Sequence, residues 1–203
     1  MSHLRAEIAA AAARMVVEEA MPWGPAKRRA AKQLGLSDEG SLPDNAELEE
    51  AIFTYLSVFC ADTQPAELRA LRELAAIWMA RLSEFRPHLT EAVWRGTATR
   101  LSDIQLNLYC DDGKSAEIDL LNKGIDYDVG RAPGPRGQVD CLSLSAPCTS
   151  LQQTVCLHLI ILDTGDLRGA LKADANGRTN QGDLTALTKL LAADMRHQPH
   201  TPT

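Results

Sequence analysis

Hydrophobic residues recur every three or four positions through the first part of the chain. This spacing places apolar side chains on one face of a helix and is typical of amphipathic helices. The predicted helices span residues 4–20, 25–34, 45–61 and 65–85. Asp44 or Asn45 is suited to cap the third of these helices, and Gly35 is suited to end the second. The N-terminal part is therefore predicted to form a small helical bundle.

After Pro87 the hydrophobic period changes from helical to alternating. Residues 104–110 alternate apolar with polar side chains, which predicts a half-buried strand, and the almost wholly apolar residues 155–162 predict a strand covered on both faces. The other predicted strands span residues 92–94, 125–129 and 139–145, and the other predicted helices span residues 114–123, 167–171 and 184–193. The Gly- and Pro-rich residues 130–138 favour a hairpin loop.

These patterns predict an α+β fold, in which an N-terminal helical bundle precedes a mixed-sheet domain. The change of period near Pro87 predicts a helical domain over residues 1–88 and an α/β domain over residues 89–203.

Composition and charge narrow the classes of function. The chain has 203 residues, with 21 Lys and Arg against 27 Asp and Glu, and its formal net charge is -6. This balance argues against binding of long nucleic acids, which requires many cations to displace condensed counterions. No stretch approaches the roughly 20 apolar residues that span a membrane, and the acidic residues Glu7, Glu18 and Glu19 predict that the Ala-rich start is an amphipathic helix rather than a signal peptide.

The five cysteines form no CxxC pair, which favours reduced thiols and a cytoplasmic location. Cys141, Cys148, Cys156 and His158 are potential soft metal ligands, but their spacing fits no zinc pattern. The cysteines in predicted strands are therefore interpreted as small buried hydrophobic residues.

The segment from Trp94 to Asp112 carries the candidate chemistry. An Arg95-Gly96 turn is followed by a small hydroxylated loop, and Ser102-Asp103 stands at the start of a predicted strand. Asp103 is thus expected at a strand edge beside a phosphate-sized pocket. Because magnesium prefers oxygen ligands and often retains phosphate oxygens, the arrangement suits a nucleoside triphosphate bound with magnesium.

The string Arg95-Gly96-x-Ala98-Thr99-x-x-Ser102-Asp103-Ile104-x-Leu106 resembles the second half of the signature of minimal nucleotidyltransferases, the polymerase-beta-like superfamily. The resemblance implies a mixed sheet with flanking helices, on which strand carboxylates hold two magnesium ions. Those ions align a hydroxyl group with the α-phosphate of a nucleotide. By this resemblance, Asp103 and Asp140 are the candidate catalytic and metal-binding residues, and Asp126 and Asp128 compete with Asp140. The candidate nucleotide-binding residues are Arg95, Gly96, Thr97, Arg100 and Ser102.

Two departures from the family pattern predict lost catalysis. Gln105 stands where the family has its second strand carboxylate, and Glu91 and Ala92 stand where it has a Gly-Ser pair. The predicted function is therefore a nucleotidyltransferase-like protein with a degenerate metal site that binds a nucleotide or a protein partner. The alternative is a noncatalytic interaction protein that uses its helical half to bind a partner or a second copy.

The chain has two further resemblances to known proteins, one general and one confined to a short segment. The chain resembles a bacterial family of similar length, some of whose members carry a muramate–alanine ligase name, although it has no GxxxxGK[ST] phosphate loop. Asp174 to Asp183 resembles the calcium loop of dockerin modules, but it lacks part of the ligand set. A polar loop that caps the next helix through Asp183 is the favoured interpretation.

Overall fold

The structure is a computed structural model that describes residues 3–35, 42–170 and 179–197. It confirms the predicted α+β fold: the helices lie mostly toward the N-terminus, and the strands of the described residues form one mixed sheet. Contacts between Cα atoms divide the chain into two compact units, residues 1–67 with 97–102 and residues 68–96 with 103–203. The predicted domain limits at residues 88 and 89 stay a prediction.

The first unit contains three helices and the beginning of a fourth. They are α1 (His3–Glu19), α2 (Trp23–Gln33), α3 (Asn45–Phe59) and α4 (Gln64–Arg81), the last of which continues into the second unit. Asp44 caps α3 in a capping box: its carboxylate accepts from the Glu47 N–H, and the Glu47 carboxylate accepts from the Asp44 N–H, both at 2.8 Å. The helices α1, α2 and α3 share a core of small and aliphatic residues that includes Ile8, Ala12, Ala30, Leu48 and Ile52.

The second unit is built on a sheet with strand order β3-β4-β5-β2-β1-β6. Its elements are β1 (His88–Thr90), α5 (Glu91–Arg95), β2 (Ile104–Cys110), α6 (Ser115–Asn122), β3 (Asp128–Gly134), β4 (Gly137–Cys148), β5 (Gln153–Asp163), α7 (Leu167–Ala170), β6 (Gln181–Gly182) and α8 (Leu184–His197). The pairing of β2 with β5 is parallel, and the other neighbouring strands are antiparallel. This mixture matches the predicted mixed sheet.

The two faces of the sheet differ in polarity because successive side chains of a strand point to opposite sides. On one face Ile104, Leu106 and Leu108 of β2 are completely buried. On the other face β2 presents Gln105 and Asn107, so the prediction of a half-buried strand is confirmed.

The prediction that β5 is covered on both faces is wrong near its start. Cys156 and His158 are only half-buried, whereas Val155 and Leu157 between them are buried. The half-buried residues share the polar face with Gln105, which is the register partner of His158.

The predicted strand over residues 92–94 is also wrong, because these residues belong to α5. The strand lies just before them, over His88–Thr90, and the chain turns at Glu91, which has a left-handed backbone with φ 56°. Gly96, with φ 92°, ends α5 after little more than one turn.

The hairpin loop between β3 and β4 is shorter than residues 130–138. β3 continues to Gly134, which pairs with Gly137 across a turn at residues 135 and 136. Pro133 is accommodated inside β3 because β3 is an edge strand of the described sheet, where one side of the backbone pairs with no other described strand.

Asp183 caps α8, since its carboxylate accepts a hydrogen bond of 2.8 Å from the Ala186 N–H, as predicted. Most of the loop that resembles a calcium site, residues 174–178, lies outside the described residues. No helix within residues 3–35, 42–170 and 179–197 has the length and apolar character needed to cross a membrane.

Candidate functional site

Asp103 faces a histidine that the motif did not include. Asp103 directly precedes β2, and its Oδ2 lies 3.2 Å from Nε2 of His158 in β5. The other ring nitrogen of His158, Nδ1, lies 2.9 Å from Oγ of Ser143. Ser143 and His158 are register partners on β4 and β5, so the sheet itself sets this contact.

Cys156 completes a cluster of three potential metal ligands. It lies two residues before His158 in β5 and therefore points to the same face. The ligand atoms of Asp103, Cys156 and His158, which we call the Asp103 cluster, all lie within 4.8 Å of one another. Burial raises the pKa of the Cys156 thiol, and the nearby Asp103 carboxylate raises it further. Without a cation beside it, this thiol is therefore protonated at neutral pH.

Asp140, the second predicted catalytic and metal-binding residue, is not brought to Asp103. Its carboxylate lies 3.0 Å from the Arg131 guanidinium on the neighbouring strand β3. The β4 residue opposite Cys156 is Ser145, which is five positions from Asp140, or roughly 16 Å along the strand. Strand alternation also places Asp140 on the opposite face from Ser143. The competing candidate Asp128 is the register partner of Ser143.

The predicted nucleotide-binding residues Arg95 and Gly96 form the end of α5. Gly96 donates its N–H to the Ala92 carbonyl at 3.0 Å and adopts the left-handed conformation that glycine favours. Arg95 is half-buried as the last residue of the helix. At the other end of α5, Glu91 has a left-handed backbone at one of the positions where the resembling family has its Gly-Ser pair.

The other predicted nucleotide-binding residues lie in the loop that follows. Thr97 and Thr99 are buried, and the Thr99 N–H donates to Oγ of Ser102 at 3.0 Å. Arg100 is exposed, and its backbone N–H donates to the Glu67 carboxylate at 2.9 Å. The hydroxyl of Ser102 therefore stabilises the loop itself.

The residues around Asp103 do not fit the pair of magnesium ions that the resemblance implies. Gln105, two residues along β2, supplies an amide instead of a carboxylate, and Asp140 is paired with Arg131. The Cys156 thiol and the His158 imidazole, which lie beside the Asp103 carboxylate, are softer ligands than magnesium prefers. No reaction step through magnesium follows from this arrangement.

Hydrogen bonds connect Ser143, His158 and Asp103, which are the residue types of a hydrolytic triad. The geometry of such a triad is not present. β4 is an interior strand between β3 and β5, so its backbone N–H groups point to neighbouring strands. Within the described sheet, the backbone of β4 therefore leaves no N–H group beside Ser143 to stabilise an oxyanion, which a nucleophilic serine requires. We therefore assign to Ser143 the role of orienting the imidazole.

A separate cavity of about 420 Å³ lies against the polar face of β2, β1 and β6. We call it the amide cavity, after Gln105, Asn107 and Gln181, which line it. Asn107 Nδ2 donates to Gln181 Oε1 at 2.8 Å, and Gln181 Nε2 donates to the Tyr109 hydroxyl at 2.7 Å. Within the described part of the chain, the Gln105 amide has no hydrogen-bond partner.

The charges at the amide cavity are negative. Glu91 and Asp166 line it, and among the described residues no lysine or arginine does. Arg136 balances Asp166 through an ion pair of 2.7 Å. Glu91 has no such partner within the described ranges, so a phosphate group in the cavity meets a repulsive carboxylate.

The two aromatic residues near the motif are used for packing. Trp94 Nε1 donates to the Thr179 carbonyl at 2.7 Å, and its ring lies over Gly182. Tyr109 is 2% exposed, and its ring contacts His88 edge-on. Neither ring is therefore available to stack on a base.

The sequence predicted Asp103 as a site residue and His158 only as a potential soft metal ligand. It did not indicate that these two side chains lie together, or that Ser143 contacts His158. The available signal was the spacing of Cys156 and His158, because two residues at i and i+2 of a strand share a face. The register that brings Asp103 to them is not visible in the sequence. Compared with known proteins, the chain matches no family model, no curated protein and no solved structure.

Proposed function

We propose that this chain is a noncatalytic, nucleotidyltransferase-like protein that binds a nucleoside or a similar uncharged polar ligand in the amide cavity. The observation that carries the proposal is the convergence of the Gln105, Asn107 and Gln181 side chains on one cavity. The volume of about 420 Å³ falls within the range of about 300–1,000 Å³ that is common for small-molecule sites.

Carboxamides suit an uncharged polar ligand because each carries both a donor and an acceptor. Amides of this kind pair with base edges in nucleic-acid recognition, and they equally bind the hydroxyl groups of a sugar. Asn107 and Gln181 are already held by hydrogen bonds, so binding costs little side-chain entropy at these positions. Ile160 and Leu162 supply an apolar wall.

The charge of the cavity favours the nucleoside over its triphosphate. The Glu91 carboxylate stands where a phosphate-binding loop requires backbone N–H groups and no negative charge. Glu91 has a left-handed backbone at one of the two positions where the family that the chain resembles has its Gly-Ser pair. This supports a loop that has the same backbone shape as in that family but no longer binds phosphate. Asp140 pairs with Arg131 and supplies no carboxylate beside Asp103, which agrees with a protein that does not transfer nucleotidyl groups.

Calorimetric titration of the full chain with the four ribonucleosides, and with their triphosphates with and without magnesium, tests this proposal. We expect saturable heat with at least one nucleoside, weaker binding of its triphosphate and no gain from magnesium. Gln105→Leu should weaken nucleoside binding about tenfold, the loss of roughly one to two hydrogen bonds. The control Gln33→Leu, on the exposed surface of α2, should leave it unchanged.

Two results would overturn the proposal. One is tighter, magnesium-dependent binding of a triphosphate that is lost in Asp103→Asn, which would indicate a working nucleotidyltransferase site. The other is the absence of heat with every nucleoside while the protein remains folded by circular dichroism.

The alternative function, interaction through the helical half, stays a prediction. It is favoured by the exposure of Val58 and Phe59 on α3, at 64% and 69%. Sedimentation over a range of concentrations tests its homo-oligomeric form: self-association that Phe59→Ser weakens supports it, and a monomer throughout contradicts it.

A further inference from the structure

We propose that Asp103, Cys156 and His158 bind one zinc ion and leave its fourth coordination position open. This inference does not depend on the proposed ligand of the amide cavity. It rests on three donor types that zinc accepts, brought together by two strands that are adjacent in the sheet.

The three donors are near enough to one another to reach a tetrahedral site by rotation of their side chains. Zinc bonds of about 2.0–2.3 Å place neighbouring ligand atoms about 3.3–3.8 Å apart. The three ligand atoms here lie within 4.8 Å of one another, and the Nε2 to Oδ2 distance between His158 and Asp103 is 3.2 Å. Small rotations of the side chains therefore suffice, and Asp103 has room for them because its side chain is 57% exposed.

Ser143 provides the outer hydrogen bond that zinc-binding histidines commonly have. With the proton of His158 on Nδ1, that nitrogen donates to Ser143 Oγ at 2.9 Å, and the lone pair of Nε2 points toward Asp103. Both residues lie inside long strands and are paired in register, so the ring is fixed before the metal arrives. Ser143 is a positioning residue, because it acts through His158.

The donor set selects zinc over magnesium. Thiolate and imidazole favour zinc and copper, whereas magnesium favours oxygen ligands. A second cavity, of about 540 Å³, is lined by Cys156, Ser143 and Asp128. It gives water or a small ligand access to the cluster from the side of Cys156, as an open coordination position requires.

Cobalt(II) is a suitable probe for this site because its absorption spectrum reports thiolate coordination. The reduced full chain is titrated with cobalt(II), and the bound cobalt is then displaced with zinc. We expect one equivalent, a thiolate-to-cobalt charge-transfer band, and loss of that band on addition of zinc. Cys156→Ser should abolish the band, and His158→Gln should weaken binding at least tenfold.

Two matched controls separate the site from general metal binding. Cys60→Ser removes a half-buried thiol of the first unit, and Asp140→Asn removes a carboxylate of the same sheet; both should bind cobalt unchanged. Ser143→Ala should lower the affinity for cobalt about 10- to 100-fold while the charge-transfer band keeps its position. If Ser143 had only a structural role, its replacement would not lower the affinity while the same three ligands still bind the metal.

The proposal would be overturned by an unchanged band in Cys156→Ser, by loss of the band in Cys60→Ser, or by displacement of cobalt by an equal concentration of magnesium. It would also be overturned by the absence of any cobalt spectrum in the wild-type protein. Thermal melting of each variant shows that the protein is folded in every comparison.

Discussion

The hydroxyl group of Thr97 is buried in the segment between α5 and β2, and among the described residues it has no hydrogen-bond partner. Replacing it by a methyl group removes a desolvated polar atom without changing the shape of the side chain. We expect Thr97→Val to raise the free energy of unfolding by about 1 kcal/mol. Urea denaturation measures the change. Thr99→Val serves as the control, because the Thr99 hydroxyl accepts a weak hydrogen bond from the Leu101 N–H, and its loss should not stabilise the protein.

Glu91 holds a left-handed backbone, with φ 56°, which a side chain with a Cβ atom disfavours. Glycine adopts this conformation freely, so Glu91→Gly should raise the free energy of unfolding by about 1 kcal/mol. Glu91→Ala is the matched control: it removes the carboxylate but keeps the Cβ atom, and should give no comparable gain. Equal stabilities of the two variants by urea denaturation would contradict this account.

At the scale of single residues, the sequence predicted Asp103 as a site residue but did not indicate which side chains surround it. Asp103 follows a recognisable Arg-Gly and Ser-Asp pattern, which is local. Its contact with His158 depends on the parallel register of β2 and β5, which no local pattern reports. Asp140 was predicted from the family resemblance, whereas the register of β3 and β4 pairs this residue with Arg131.

The packing of α5 on β6 depends on the absence of a side chain at Gly182. A Cβ atom at this position would lie 2.0 Å from the Trp94 ring, which is fixed by a hydrogen bond from its Nε1 to the Thr179 carbonyl. Gly182→Ala should therefore lower the free energy of unfolding by roughly 2 kcal/mol through overpacking. Thermal or urea denaturation measures the loss.

Gly113→Ala is the control for this prediction, since its Cβ atom would meet only a methyl group of Ile161, at an ordinary distance of 3.8 Å. A loss at Gly113 equal to that at Gly182 would show that the effect does not come from Trp94. Because Gln181 precedes Gly182 in β6, Gly182→Ala should also weaken binding in the amide cavity.

Elements with their own start and stop signals were predicted well. The cap at Asp44 and the left-handed Gly35 mark the limits of two helices, and both signals act within a few residues. β1 was missed because three residues are too short to show alternation, and the turn at Glu91 has no glycine to mark it. The strand predicted over residues 125–129 lies too early in the chain, because the Gly and Pro residues of β3 (Asp128–Gly134) favour a loop, although an edge strand tolerates them.

For the molecule as a whole, buried ionisable groups predict loss of stability at alkaline pH. Burial raises the pKa of Tyr109, and burial likewise raises the pKa of Cys110. The unfolded chain releases these protons at the ordinary pKa values, about 8.5 for cysteine and 10 for tyrosine, before the folded protein does. Full stability is therefore present below about pH 8.5 and should fall as the pH rises through the higher pKa values of the folded state.

Urea denaturation at pH 7, 9 and 10.5 measures this dependence. Tyr109→Phe removes one of these groups, so its stability should fall less steeply between pH 9 and 10.5 than that of the wild type. At pH 7 the variant should be about 1 kcal/mol less stable, because the hydrogen bond to Gln181 is lost. An identical slope for both proteins would exclude Tyr109 as a cause.

The α+β class and the mixed character of the sheet were predicted from the change of hydrophobic period near Pro87. The strand order was not, because alternation identifies strands without naming their neighbours. The half-buried start of β5 was missed for the same reason. The apolar sequence VCLHLIIL predicts a strand that is covered on both faces, and only the arrangement of the neighbouring strands leaves the face with Cys156 and His158 partly exposed.

The parallel pairing of β2 with β5 also constrains the order of folding. β3, β4 and β5 follow one another along the chain and are joined by short turns, so this meander can form early from local contacts. β2 precedes all three in the chain but joins the far side of β5, which requires closure of a long loop. We therefore expect the Asp103 cluster, which needs both strands, to assemble only when β2 has joined β5, and a ligand bound there to favour the finished sheet over the unfolded chain.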